Sequence, residues 1–210
     1  MRHLSSCLAF ALVAGSAAVA APVLAAIPGA DPDWPCQQRL VPELTGGTLW
    51  SGPPLPTDGK WRSDKRIAPL VTSVSSRDLP VEEGEAQLGK FVDGVKPAER
   101  KAVVPEIFVG IVDEVNRQRD DIIARIRELT RRQKSVGDVV AKVTAELQQI
   151  PEDAEGDEAK RRQEIVERRD YVIRMFEETE RTMRYACEAP VNLEARLGDY
   201  ARLLQAKLGS

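Results

Sequence analysis

The chain has 210 residues, with 30 basic and 33 acidic side chains and a single histidine, His3. Histidine is the commonest general acid/base near neutral pH and the commonest metal ligand. Ser-His-Asp, Cys-His and histidine-metal chemistry are therefore closed to everything downstream of residue 3. Charges of both signs are mixed along the chain, which argues against the one-sided basic excess of a nucleic-acid binder.

Residues 1–25 read as a signal peptide. Met1-Arg2 precedes an Ala/Leu/Val run from Leu8 to Ala21, and both Ala18-Val19-Ala20 and Val23-Leu24-Ala25 fit a small-x-Ala cleavage site. Gly15 and Pro22 interrupt the run and its alanines make a poor spanning helix, so removal is expected, with no stable membrane insertion afterwards. Cys7 lies before the apolar run, where a lipid-modified cysteine would have to follow it. The mature chain keeps 29 basic and 33 acidic residues, a net charge of −4, no histidine and two cysteines, Cys36 and Cys187. In an exported chain two and only two cysteines read most simply as one disulfide. A reactive thiol has neither a CxxC spacing nor a neighbouring histidine to support it. About 185 residues remain, enough for one domain with a real core.

Residues 26–62 lack helical periodicity. Pro32, Pro35, Pro42, Pro53, Pro54 and Pro56, with Gly46, Gly47, Gly52 and Gly59, predict an extended, irregular wrap. All three tryptophans, Trp34, Trp50 and Trp61, fall in it, and a disordered linker is poor in such residues. Two readings stay open: the rings plug grooves on the helices behind them, or one of them lines an exposed partner surface. The run Asp31-Pro-Asp-Trp-Pro-Cys-Gln-Gln-Arg39, with Leu49-Trp-Ser-Gly-Pro53, resembles the opening of uncharacterised exported proteins of Gram-negative bacteria. That resemblance implies export; with the signal peptide, a periplasmic location is expected.

Residues 63–210 read as a helical domain. Ser63 is a candidate N-cap for a short helix carrying Ile67, Leu70, Val71 and Val74. Pro80 begins a second, with Val81, Leu88, Phe91, Val92 and Val95 as its buried stripe and Gly94 and Pro97 at its end. A long helix follows from Pro105, or from Pro97 with a kink. Its stripe runs Val104, Phe108, Ile111, Val115, Gln118, Ile122, Ile126, Leu129, Gln133, Val136, Val140, Val143, Leu147, Ile150. Steps of three and four continue through Gly137, which predicts continuity or a bend there. After a turn at 151–157, Asp157 to Cys187 returns antiparallel, making a coiled-coil-like hairpin over 105–187. Pro190 is expected to stop this arm, and Asn192 to cap a separate final helix of Leu193, Leu197, Tyr200, Leu204 and Leu208. The unequal arms put Cys187 at the base of the hairpin, where the wrap is expected to be tied. The fold class is all-α.

Site chemistry is sparse. The acidic turn of Glu152, Asp153, Glu155, Asp157 and Glu158 lacks EF-hand spacing and reads as a solvated tip, so no metal ligands are assigned. No nucleophile elbow, S-x-x-K pair, P-loop or GxGxxG is present, so no catalytic residue and no cofactor is assigned. Arg131 and Arg132, with Lys134, either contact an anionic partner or form the wet face of a helix. Leu129-Thr130-Arg131-Arg132-Gln133 resembles the LTxxQ pattern of a periplasmic family of stress chaperones and metal-responsive helical proteins. That resemblance implies a chaperone or sensor role, although the His and Met ligands of its metal-binding members have no counterpart here. The expectation is a non-catalytic periplasmic interaction protein acting on another envelope protein, with Trp34, Trp50, Trp61, Arg131 and Arg132 as candidate contacts. A metal- or ligand-linked sensor and a carboxylate-based envelope hydrolase are the alternatives.

Overall fold

The computed structural model describes residues 31–209, and among them every regular element is helical. The expected signal peptide and the first residues of the wrap lie outside the described residues. Helix α1 is Ile67–Val74, α2 is Val81–Asp93, α3 is Pro97–Gln148 and α4 is Gly156–Leu208. The segment before α1 is irregular except for short 3-10 turns at Gly46–Thr48 and Lys60–Arg62.

Local chemistry sets most of these boundaries. The α1 cap is supplied by Asp64, whose Oδ1 accepts from the backbone N–H of Arg66 at 2.8 Å and of Ile67 at 3.3 Å. Ser63, the expected cap, turns its hydroxyl back to the Lys60 carbonyl instead. Pro69 falls in the first turn, where its missing N–H has no helical partner to lose. Pro80 precedes α2, Glu82 and Glu83 sit at its positive end, and Gly94 closes it.

The proline positions in the long helices decide between two starts for α3 and correct one expectation in α4. Of the two starts, Pro97 opens α3, and Pro105 is buried inside an unbroken helix. Pro190 likewise lies inside α4, so the expected stop and the separate helix capped by Asn192 are absent. An internal proline costs about 3 kcal/mol, but here continuity keeps Met183, Leu193, Leu197, Tyr200 and Leu204 in phase against one core. Breaking the helix would turn several of these side chains into water, at roughly 1.5–3 kcal/mol each. Gly137 breaks nothing, and α3 passes through it.

α3 and α4 run side by side in opposite directions. Arg119 lies level with Pro190, Thr130 with Met183, Gln133 with Phe176 and Glu146 with Arg168. Every position of the α3 stripe is buried or half-buried. The base, where α1 and α2 pack on the first half of α3 and the last half of α4, holds the main core of Phe108, Ile107, Ile111, Leu88, Leu197 and Tyr200. A second, small cluster of Val143, Leu147 and Ile165 lies near the turn.

Candidate interaction surfaces

The wrap is fixed to the base by side chains drawn from the helices. Cys36 and Cys187 have their sulfurs at bonding distance, 1.96 Å apart. Next to them, Gln38 Nε2 donates to the Cys187 carbonyl at 2.5 Å, and Trp34 Nε1 donates to the Gln38 carbonyl at 2.8 Å. Asn116 exchanges two bonds with the Leu44 backbone, both at 2.9 Å, and thereby imitates a strand neighbour for a segment that has none. At its start, Asp31 meets Arg127 at 2.7 Å, and Asp33 meets Lys134 at 2.9 Å and Arg131 at 3.1 Å. The Asp31 carboxyl is held below its ordinary range by the Asp33 N–H and by Arg127, and that of Asp33 by Lys134 and then Arg131.

The tryptophans take different positions. Trp61 is 4% exposed and donates through Nε1 to Asp113 at 2.9 Å, while Arg62 stacks on its ring and pairs with the same carboxylate at 3.0 Å. It cannot serve as an exposed contact, which corrects one of the expected surface residues. Gly110 explains the fit: a Cβ there would stand 2.9 Å from the indole. Trp50 is half-buried, stacked on Phe108 with ring centroids 4.7 Å apart, and Trp34 is half-buried beside the disulfide.

Arg119 joins wrap and helices from inside. It is 3% exposed, and donates through Nη1 to the Pro190 carbonyl at 2.9 Å and through Nη2 to the Val41 carbonyl at 2.7 Å. Burial pulls its pKa down, opposed by the more distant charges of Glu194 and Asp120. Periodicity could not find this residue, because an arginine on the apolar side of a helix reads as a break in the stripe.

Arg131 and Arg132 point apart. Arg131 is engaged by Asp33. Arg132 instead enters a groove of about 580 Å³ on one side of the α3/α4 pair, with Leu129, Tyr171, Arg174, Met175, Glu178, Thr179 and Thr182. Among the described residues neither Arg132 nor Arg174 has an ion-pair or hydrogen-bond partner, and Tyr171 is 57% exposed. Tyr171, Arg174 and Met175 went unselected in the sequence; their signal was that 171, 175, 178 and 182 fall on one helical face level with 129 and 132. A second groove, about 650 Å³, borders the disulfide and is lined by Cys36, Gln38, Gln133, Glu180, Met183 and Arg184 among others. Among the described residues no three His, Cys, Asp or Glu side chains converge to hold a metal ion, and no helix is long and apolar enough to cross a membrane. Comparison with known proteins adds nothing to these surfaces: no family model, no curated protein and no solved structure matches the chain.

Proposed function

We propose that the chain is an exported, periplasmic, non-catalytic interaction protein: a coiled-coil-like hairpin arm on a base stapled by its N-terminal wrap, holding another envelope protein. The observation that carries this reading is the groove of Leu129, Arg132, Tyr171, Arg174 and Met175. Tyrosine, arginine and methionine are enriched at protein interfaces, and tyrosine and arginine dominate the residues that contribute most to binding. Two guanidiniums without partners among the described residues, beside an exposed tyrosine ring, fit a protein segment that brings carboxylates and an apolar side chain. The base supports the reading as a rigid mount, since the disulfide, Asn116 and Arg119 fix the wrap from three sides. Cross-linking from the groove in envelope fractions, with a photoreactive residue in place of Thr182, tests it. A defined adduct lost in Tyr171→Ser/Arg174→Ser is the expected result. The same adducts from the wild type and that variant would overturn the groove as the docking site.

A further inference from the structure

The middle of the arm is underpacked for two helices on their own. Between Thr130 and Val143 on α3, and between Ile165 and Met183 on α4, no side chain is fully buried. The seam there consists of half-buried Val136, Val140, Val172, Ile173 and Phe176. An almost wholly apolar notch of about 220 Å³ opens in it, floored by Gly137 and walled by Val140, Ile173 and Phe176. Glycine inside a helix is disfavoured relative to alanine, and nothing among the described residues demands it at 137. A Cβ there would stand 3.5 Å from Phe176, an ordinary contact. Gly84 and Gly110, by contrast, face side chains that leave no room for one. Gly89 and Gly198 are as unforced as Gly137, but neither borders an apolar notch. What glycine permits at such a position is the close approach of another chain.

We propose that the notch is the centre of an isologous contact with a second copy of this chain. The two arms form a four-helix bundle about a two-fold axis along their length, with α3 of each copy antiparallel against α4 of the other. Shape fits this arrangement. On the notch side α3 presents Gly137, Ala141 and Ala145, each one turn apart, and α4 presents Val166, Ile173 and Phe176. One helix is small where the other is bulky, so the two-fold satisfies both contacts at once. Charge fits as well. Gln133 lies level with Phe176 and Glu146 with Arg168, and an axis along the arm preserves those heights. Lys134 is therefore brought level with Glu177 and Glu180 of the second copy, and Lys142 with its Asp170. Lys142, Glu177 and Glu180 have no ion-pair partner among the described residues, while Lys134 already meets Asp33 at 2.9 Å and Asp170 meets its neighbour Arg169 at 2.8 Å, so the second copy would add to those pairs. Among the described residues the wrap comes as far as Lys134, through Pro32 and Asp33, one turn from the notch. This self-association stands independently of which envelope protein the opposite groove holds.

Sedimentation velocity on the purified full chain, from roughly 1 to 100 µM, the range that brackets ordinary micromolar association, tests the proposal. A species of twice the chain mass is expected. Gly137→Leu fills the notch with a good helix former, so a monomer with undiminished helical circular dichroism is expected. Asp170→Lys is expected to weaken the dimer at least about tenfold by placing like charges together, and Lys142→Glu in the same chain to restore it. A wild-type monomer throughout the range, a Gly137→Leu dimer as tight as wild type, or failure of the charge exchange to restore association overturns the proposal. So does a wild-type chain that pairs only with an unrelated protein.

Discussion

Replacing Arg119 with methionine tests the account of the base most directly. Methionine keeps much of the stem packing but removes both charge-assisted bonds, to the carbonyls of Pro190 at 2.9 Å and Val41 at 2.7 Å. Hydrogen bonds from charged groups contribute about 1.5–3 kcal/mol each, so roughly 3–6 kcal/mol of interaction is lost. The opposing effect is relief of desolvation. Arg119 is 3% exposed, its Nε has no hydrogen-bond partner, and no carboxylate among the described residues pairs with it. Holding a buried guanidinium costs several kcal/mol, which the two carbonyls only partly offset. The carbonyls left behind decide the sign, because each unsatisfied buried acceptor costs about 1–3 kcal/mol. A net destabilisation of about 3 kcal/mol is expected, equivalent to a Tm lower by roughly 6–12 °C for a domain of this size. Urea unfolding followed by circular dichroism and tryptophan emission measures it. Arg119→Lys is expected to recover little, since one ammonium on a flexible stem cannot span two carbonyls held in a guanidinium fork. A methionine variant as stable as wild type would refute the reasoning, showing that desolvation outweighs the bridge.

Gly84→Ala places a Cβ 1.8 Å from the Tyr200 hydroxyl, which itself donates to the Val74 carbonyl at 3.1 Å. It is expected to cost about 2–4 kcal/mol through overpacking and the lost bond, while Tyr200→Phe, measured by the same urea titration, costs only the hydrogen-bond part. Reduction opens a loop of 151 residues, for which chain entropy gives at most about 5 kcal/mol; Trp34 emission is expected to shift while most helical circular dichroism persists, and two alkylatable thiols in the unreduced native protein would remove the bridge. Acid is expected to release the start of the wrap. Asp31 and Asp33 have folded pKa values below their ordinary 3.8, so the stability they contribute is complete above that value and is lost as pH falls through the lower, folded one. Amide exchange at residues 32–34, quickening below about pH 4 in the wild type and already fast in Asp33→Asn, checks this.

The helical class was readable because one signal, steps of three and four over 47 residues, outlasted every local irregularity in α3. The same signal did not reveal where helices end. Pro190 reads as a stop by propensity, yet Met183, Leu193 and Leu197 share one buried face across it, and burial outweighs the roughly 3 kcal/mol that proline costs. Ser63 and Asp64 are both good caps on paper. Which one serves depends on how the chain leaves Trp61, and that is set by a contact with Asp113 fifty-two residues away. Arg131 and Arg132 were read as one cluster, but adjacent helical residues lie 100° apart, so one meets the wrap and the other the opposite groove. Arg119 went unread for a different reason: its acceptors are backbone carbonyls, which carry no sequence signature.

The two ends of the α3/α4 pair differ in how they are held, and the difference bears on function. At the base α1, α2 and the wrap pack on the two helices, and Gly84 and Gly110 admit Tyr200 and Trp61 at distances no other residue would allow. Beyond Lys134, among the described residues, each helix packs only on the other, and the next buried side chains are Val143, Leu147 and Ile165 near the turn. Helices stabilise chiefly through tertiary packing of an apolar face, so the free energy of local opening must fall along the arm. Among the described residues no third helix covers Val136, Ile173 and Phe176, and the 53-residue α4 alongside α3 leaves them half-buried. On the proposed reading a second molecule completes this seam, with the base as the mount and Val136, Ile173 and Phe176 as the side chains it would bury.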